Sequence, residues 1–180
     1  TSIDETVQRA ADLTRQLMAY AGKGKSSTVA LDLNRVVEEM SKLLAVSCSK
    51  KAALEVHLEP GLPVILADPA QIQQVVMNLV INASDALEGR SGWIRITTAA
   101  QDLPSGSQAR DTQGGLIPPG RYVVLSVSDS GCGISPDNQA LIFDPFFSTK
   151  ATGRGLGLSA MQGILRGHDA RIQLESILGT

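Results

Sequence analysis

The chain has 180 residues, of which 43% are hydrophobic and 19% charged, with a formal net charge of −2. That balance supports a packed core and excludes wholesale disorder; it also excludes a nucleic-acid binder working by bulk charge, and 3% aromatic content leaves no stacking platform for single strands. No apolar run approaches the roughly 20 residues of a membrane span, nothing at the N-terminus has the shape of a secretory signal, and two cysteines, Cys48 and Cys132, make neither a disulfide framework nor a metal knuckle, so a reducing cytoplasm is the expected location.

Residues 1–22 read as a helix, because Ile3, Val7, Ala10, Leu13, Leu17 and Ala21 share one face. Two glycines and small polar residues then break the pattern, so 23–27 reads as a linker. Asp32 caps a second helix whose apolar stripe is Val36, Val37, Met40, Leu43 and Leu44. Leu54 to Leu58 alternates as a strand, Pro60-Gly61 turns the chain, and Pro63 to Leu66 is a second strand. Asp68-Pro69 is a strong helix start, a capping carboxylate followed by proline at the first helical position. This helix runs to about Leu87, and Gly89 stops it. Trp93 to Thr98 is a strand, residues 101–120 read as a long mobile loop, and Tyr122 to Val127 is a strand buried by its apolar run. Pro136 to Ile142 is a short helix, 144–157 is loop, Leu158 to Arg166 is helical, and Ala170 to Leu174 alternates as a last strand. Strands and helices mix without regular alternation, which gives an α+β fold with a mixed sheet.

Three separated segments carry polar chemistry. Asn78, Asn82 and Asp85 fall at i, i+4 and i+7 on one face of the third helix, whose other face is Ile72, Val75, Val76, Leu79 and Val80. Polar side chains there are costly unless they meet a partner. A carboxamide oxygen suits Mg²⁺ that keeps waters and phosphate oxygens; neighbouring backbone satisfies the same groups equally well. Asp129-Ser130-Gly131-Cys132-Gly133-Ile134 follows an apolar strand. It is either a plain glycine turn or a place where a carboxylate and bare backbone approach a flat ligand. Gly153-Arg154-Gly155-Leu156-Gly157-Leu158 opens a helix, either as a flexible glycine loop or as an anion site helped by Lys150 and Arg154. Between the last two segments Phe146 and Phe147 are placed to anchor one end of a mobile lid against the core, after Phe143.

In order and spacing these segments resemble the N, G1, F and G2 boxes of the catalytic domain of bacterial sensor histidine kinases, of the superfamily of gyrase B, MutL and the ninety-kilodalton heat-shock chaperone. The resemblance covers about residues 28–180. It implies a two-layer α/β sandwich of Bergerat type that binds ATP and Mg²⁺, with a lid at about 144–157. By resemblance Asn82 is the metal ligand, Asn78 orients phosphate or water one turn earlier, and Asp129 binds the adenine amino group. Gly131, Gly133 and Ile134 line the adenine pocket with Phe143 nearby. Asp85, Lys150 and the stretch Gly153, Arg154, Gly155, Leu156, Gly157 and Leu158 belong to the phosphate side. Residues 1–22 resemble the end of the dimerisation and phosphoacceptor hairpin, most like kinases of the nitrogen-regulation and hybrid type. The implied partners are dimerisation helices of the same or a sister chain and a response-regulator receiver domain, with no nucleic acid, and the full-length protein is expected to be a homodimer.

The chain departs from the family in three places. The phosphoacceptor histidine is not expected in it, since His57 reads as a solvated strand residue and His168 as a helix-end residue. The family usually has one more strand after the segment resembling Glu175 to Thr180. Asp85 stands where many members carry a basic residue, so phosphate charge rests on Lys150, Arg154 and the metal. The competing enzymatic readings are an ATP-gated clamp of gyrase or MutL type and an anti-sigma serine kinase. Asn78 counts against the clamp, which needs a glutamate base there. A degenerate dimerisation module is the non-enzymatic alternative.

Overall fold

A computed structural model describes residues 27–47, 52–150 and 155–179. The helix expected over 1–22, the linker over 23–26, Cys48, Gly153 and Arg154 lie outside the described residues. The chain forms two compact units, one of Ser27–Ser135 with Arg171–Thr180 and one containing Pro136–Ala170.

The first unit opens with strand β1 (Val29–Leu31), which pairs antiparallel with β3 (Ile65–Ala67). Helix α1 (Leu33–Ser47) follows at once, because the Asp32 carboxylate accepts from the Asn34 and Arg35 amides at 3.0 and 3.4 Å. Strand β2 (Ala52–Leu58) runs parallel to β4 (Gly92–Leu103), and β4 runs antiparallel to β5 (Gly120–Asp129). The sheet order is therefore β2-β4-β5, mixed as the sequence implied. Helix α2 (Pro69–Ala86) lies between β3 and β4 in sequence.

One layer of helix packs on one face of that sheet. Val36, Val37, Met40 and Leu44 of α1 and Ile72, Val76, Val80 and Ala83 of α2 join Ile94 and Ile96 of β4 in a single core. Leu54 and Leu58 of β2 and Val123, Leu125 and Val127 of β5 pack against it. Each fully buried aliphatic side chain contributes roughly 1.5–3 kcal/mol. The register explains the pattern. Ile94, Ile96 and Thr98 alternate on the inner face of β4, opposite Asp129, Val127 and Leu125 of β5. The buried Thr98 hydroxyl is satisfied by donating to Asn34 Oδ1 at 2.6 Å.

Asp68 caps α2 as its spacing predicts. Its Oδ1 accepts from the Ala70 and Gln71 amides at 3.0 and 3.3 Å, and its Oδ2 accepts from the Ser27 amide at 2.9 Å. Asp68→Ala should therefore cost about 2 kcal/mol, the upper end for a lost cap. Urea unfolding checks this, and Asp68→Asn should recover at least half. At the other end Glu88 and Gly89 both adopt positive φ, which ends the helix.

Several expectations are corrected. Leu43 is 65% exposed, so the α1 stripe is narrower than the sequence implied. Strand β1 is an element the pattern missed, since three residues are too few to show alternation. Strand β5 is half-buried rather than buried, because only one face meets the helices. The 101–120 segment is shorter and more ordered than a long loop. Strands β4 and β5 extend into it, and the Asp111 carboxylate accepts from the Gln113 and Gly115 amides, both at 2.9 Å. Ala170 to Leu174 alternates in burial but joins no described ladder; it is tied by single bonds such as Thr112 N–H to Ile172 O at 2.8 Å.

The second unit holds α3 (Pro136–Gln139), shorter than the helix expected to Ile142, and α4 (Gly157–Gly167). Ser159, Ala160, Met161 and Ile164 form the buried face of α4.

Candidate functional site

The buried stripe of α2 leaves Asn78, Asn82 and Asp85 along its flank. Asp85 is exposed, and the two asparagines are partly buried. Asn78 and Asp85 have interaction partners of their own. Asn82 differs: its carboxamide nitrogen Nδ2 is fully buried and has no hydrogen-bond partner among the described residues. An unpaired buried polar atom costs roughly 1–3 kcal/mol. Such a cost calls for a physical reason, and a ligand that completes the bonding would supply one. The carboxamide can offer its nitrogen to a phosphate oxygen. Rotated half a turn, it offers its oxygen to a cation or a bound water. The donor set therefore fits Mg²⁺ with nucleotide phosphates. No group of three or more His, Cys, Asp or Glu with metal-binding arrangement occurs among the described residues.

The Asp129 loop meets the same helix. Asp129 ends β5, and its Oδ1 accepts from the Gly131 amide at 2.8 Å. Ser130 fastens the start of the loop to β4, accepting from Trp93 N–H at 3.0 Å and donating its own amide to Trp93 O at 3.1 Å. Cys132 N–H then donates to Ala86 O at 3.0 Å. Gly131 is buried against that helix end; a Cβ added to it would sit 2.6 Å from Ala86 Cβ and 2.7 Å from Ala86 O. Ala86 follows Asn82 by four residues, so it lies one turn further along the same side of α2. Asn82 and the Asp129 loop are thus brought together by the packing of Gly131. Their glycines serve chain-on-chain approach here: Gly131 meets Ala86, and Gly133, at φ 70, meets the carbonyl of Ile177.

Sequence reasoning missed Ala86 as the docking point, together with Ser176, Ile177 and Gly179. Ile134 N–H donates to Ser176 Oγ at 2.8 Å, and Gly179 N–H donates to Cys132 O at 3.0 Å. The one signal available was the small side chain of Ala86 at the turn after Asn82.

In the second unit the two ends of the expected lid are pinned to each other. Phe146 N–H donates to Gly155 O at 2.9 Å, and the space beside Gly155, at φ 64, is filled by the backbone of Phe146 and Phe147. Phe146 itself is 70% exposed with φ 69, so its ring does not anchor the segment against a core; backbone contacts do. Phe143 and Phe147 are half-buried, and Lys150 is exposed. Leu156 is buried and precedes α4, which starts without a side-chain cap. Gly157 and Leu158 form the first turn of that helix.

Neither histidine sits in these segments. His168 Nδ1 lies 2.8 Å from Ile164 O, so that nitrogen carries the proton and ties the ring to the end of α4. His57 is solvated on β2, 3.8 Å from Glu55. The Arg95 guanidinium, 2.9 Å from Glu55 Oε2, holds the Glu55 carboxyl below the usual carboxylate range. This cluster lies on the outer face of the sheet, since Glu55, His57, Arg95 and Thr97 are out of phase with Ile94 and Ile96.

Residues 67–180 match the family described as histidine kinase-, DNA gyrase B- and HSP90-like ATPase. The chain belongs to this family. It is 36% identical to the sensor kinase CckA of Brucella abortus, over 99% of this chain and 19% of that protein. The catalytic domain of histidine kinase ThkA superposes with a TM-score of 0.61 at 29% identity, covering 79% of this chain and 82% of that one. Full-length ShkA in complex with AMPPNP gives a TM-score of 0.74 at 22% identity, over 100% of this chain and 35% of that one. ThkA in complex with the response regulator TrrA gives a TM-score of 0.64 at 22% identity, over 99% of this chain and 49% of that one. The α+β fold is therefore that of a histidine kinase catalytic domain. The chain spans less than a third of the length of the curated relatives CckA and FixL.

Proposed function

We propose that this chain is the ATP-binding catalytic part of a two-component sensor histidine kinase, with residues 28–180 as the nucleotide-binding domain. The observation that carries the reading is the buried Asn82 nitrogen, unpartnered among the described residues, beside a loop that begins at Asp129. Asp129 would receive the adenine amino group: one carboxylate oxygen orders its own loop, and the other accepts no hydrogen bond among the described residues. Asn82 would hold Mg²⁺, with Asn78 one turn earlier toward phosphate or water. Mg²⁺, when bound, supplies charge neutralisation at the phosphate oxygens. By the family resemblance Lys150, Arg154 and the stretch from Gly155 to Leu158 would belong to the phosphate side.

Phosphoryl transfer asks the protein for positioning and electrostatics rather than for covalent chemistry. Asn78 has no basic group to activate water, which favours transfer over hydrolysis. The acceptor would be a histidine on a dimerisation helix, and a receiver domain of a response regulator would take the phosphoryl group from it. His57 and His168 do not serve, being a strand-surface residue and a helix-end tie. Homodimerisation belongs to the full-length protein through the hairpin that residues 1–22 resemble. A cytoplasmic location is part of this proposal; separately, no helix among the described residues is long and apolar enough to cross a membrane.

Thermal unfolding tests binding. Nucleotide at 100 times its dissociation constant adds about 2.7 kcal/mol, or roughly 5–11 °C for a chain of this size. That shift is expected with Mg²⁺ and a non-hydrolysable ATP analogue. No shift at saturation would mean a degenerate pocket. Supplying a phosphoacceptor hairpin in trans should then yield acid-labile phosphate on it, whereas acid-stable phosphate on serine would identify the anti-sigma class.

A further inference from the structure

We infer that the C-terminal segment Ser176–Gly179 is a latch on the adenine-side loop, with Ser176 as the positioning residue that sets the loop for nucleotide. The inference rests on the reading of Asp129–Ile134 as that loop.

Three consecutive loop residues are held by this segment. Ile134 N–H donates to Ser176 Oγ at 2.8 Å, and Gly179 N–H donates to Cys132 O at 3.0 Å. Between them Gly133, at φ 70, turns its bare side onto the Ile177 carbonyl; a Cβ there would also lie 3.0 Å from Leu178 Cα. The opposite side of the loop rests on α2 through Gly131 and through Cys132 N–H to Ala86 O at 3.0 Å. Cys132 therefore spends its amide on the helix and its carbonyl on the C-terminal segment. The loop is clamped from both sides, while Asp129 stands where the clamped stretch begins.

A glycine-rich loop has many conformations to lose on binding a ligand. Fixing it beforehand removes that cost from the binding step, which raises affinity without touching the ligand. Ser176 is the side chain that does this. Its hydroxyl is the acceptor for a partly buried amide, and alanine would leave that amide without it. Threonine keeps the hydroxyl.

The test compares wild type, Ser176→Ala, Ser176→Thr and Glu175→Ala by calorimetric titration with ADP and with Mg²⁺ plus a non-hydrolysable ATP analogue. Ser176→Ala should weaken both ligands by the same factor, about tenfold, because the lesion is at the adenine end. Ser176→Thr should stay within about twofold of wild type, since its acceptor survives, and Glu175→Ala, on an exposed side chain, should be unchanged. A merely structural role would lower the melting temperature and leave affinities measured well below it unmoved. Amide exchange read at Ile134 gives a second measure without nucleotide: protection in wild type, lost in Ser176→Ala. Normal binding by Ser176→Ala overturns the latch and leaves the kinase reading standing; a wild type that binds neither ligand overturns both. Should Ser176→Ala not fold, unprotected exchange at Ile134 in wild type overturns the latch by itself.

Discussion

Replacing Asn82 by alanine is expected to weaken metal-dependent nucleotide binding about 100-fold while leaving the ligand-free chain as stable as wild type or slightly more so. The two halves of that expectation come from one atom. Nδ2 is buried and unpaired among the described residues, so its removal relieves a desolvation cost instead of breaking a bond. Position 82 lies inside α2, where alanine is also the better helix former by up to about 0.7 kcal/mol. Binding should fall by about 100-fold, the size of effect typical when a metal-site contact is lost. At a ligand concentration 100 times the wild-type dissociation constant, the variant would then sit near its own. Its stabilisation drops from about 2.7 to about 0.4 kcal/mol, and the thermal shift shrinks to roughly 1 °C. Melting curves with and without Mg²⁺ and the analogue measure both quantities on one sample. A variant that loses stability by 1 kcal/mol or more yet binds normally would make Asn82 an ordinary core fixture.

The contrast with its neighbours shows what the sequence can and cannot reveal. Spacing alone put Asn78, Asn82 and Asp85 on one face, and the structure keeps them there. Spacing could not say which of the three lacks a partner, because partners come from other segments of chain. The helix start at Asp68-Pro69 was legible since its cause is local, a carboxylate two and three residues before the amides it accepts from. The stop at Gly89 was legible for the same reason. Local rules failed where pairing decides the outcome. Val29-Ala30-Leu31 is a strand only because Ile65-Leu66-Ala67 lies beside it. Ala170 to Leu174 has the alternation of a strand without a ladder to join among the described residues. The reading of Phe146 followed the general preference of aromatic rings for cores, but its ring is exposed and its backbone N–H donates to Gly155 O instead. The glycines of the Asp129 loop read as places where backbone approaches a flat ligand, or else as a plain turn. What approaches them is the helix end and the C-terminal segment, which no short pattern encodes.

Gly131→Ala should be strongly damaging in the first unit. The added Cβ would meet three atoms at once: Ala86 Cβ and Asp129 Oδ1 at 2.6 Å each, and Ala86 O at 2.7 Å. Two of these belong to the end of α2, where the backbone is held by helical bonds and Cys132 N–H. Neither can retreat as a long side chain could, so the loop must lift from the helix. That forfeits the Cys132 bond and carries Asp129 with it. The expected cost is about 2–4 kcal/mol in urea unfolding, as for an overpacked and unpaired site together. Nucleotide binding should weaken beyond what the lost stability explains, since Asp129 is displaced from Asn82. Ala86→Gly in the same chain removes one of the three clashes and should recover only part of the loss. Gly167→Ala is the matched control: nothing lies within 4 Å of a Cβ there, at the last residue of α4, and it should be neutral or stabilising by up to about 1 kcal/mol. If Gly131→Ala proved as mild as Gly167→Ala, the loop would not be seated on the helix, and the proximity of Asn82 and Asp129 that the nucleotide site requires would go with it.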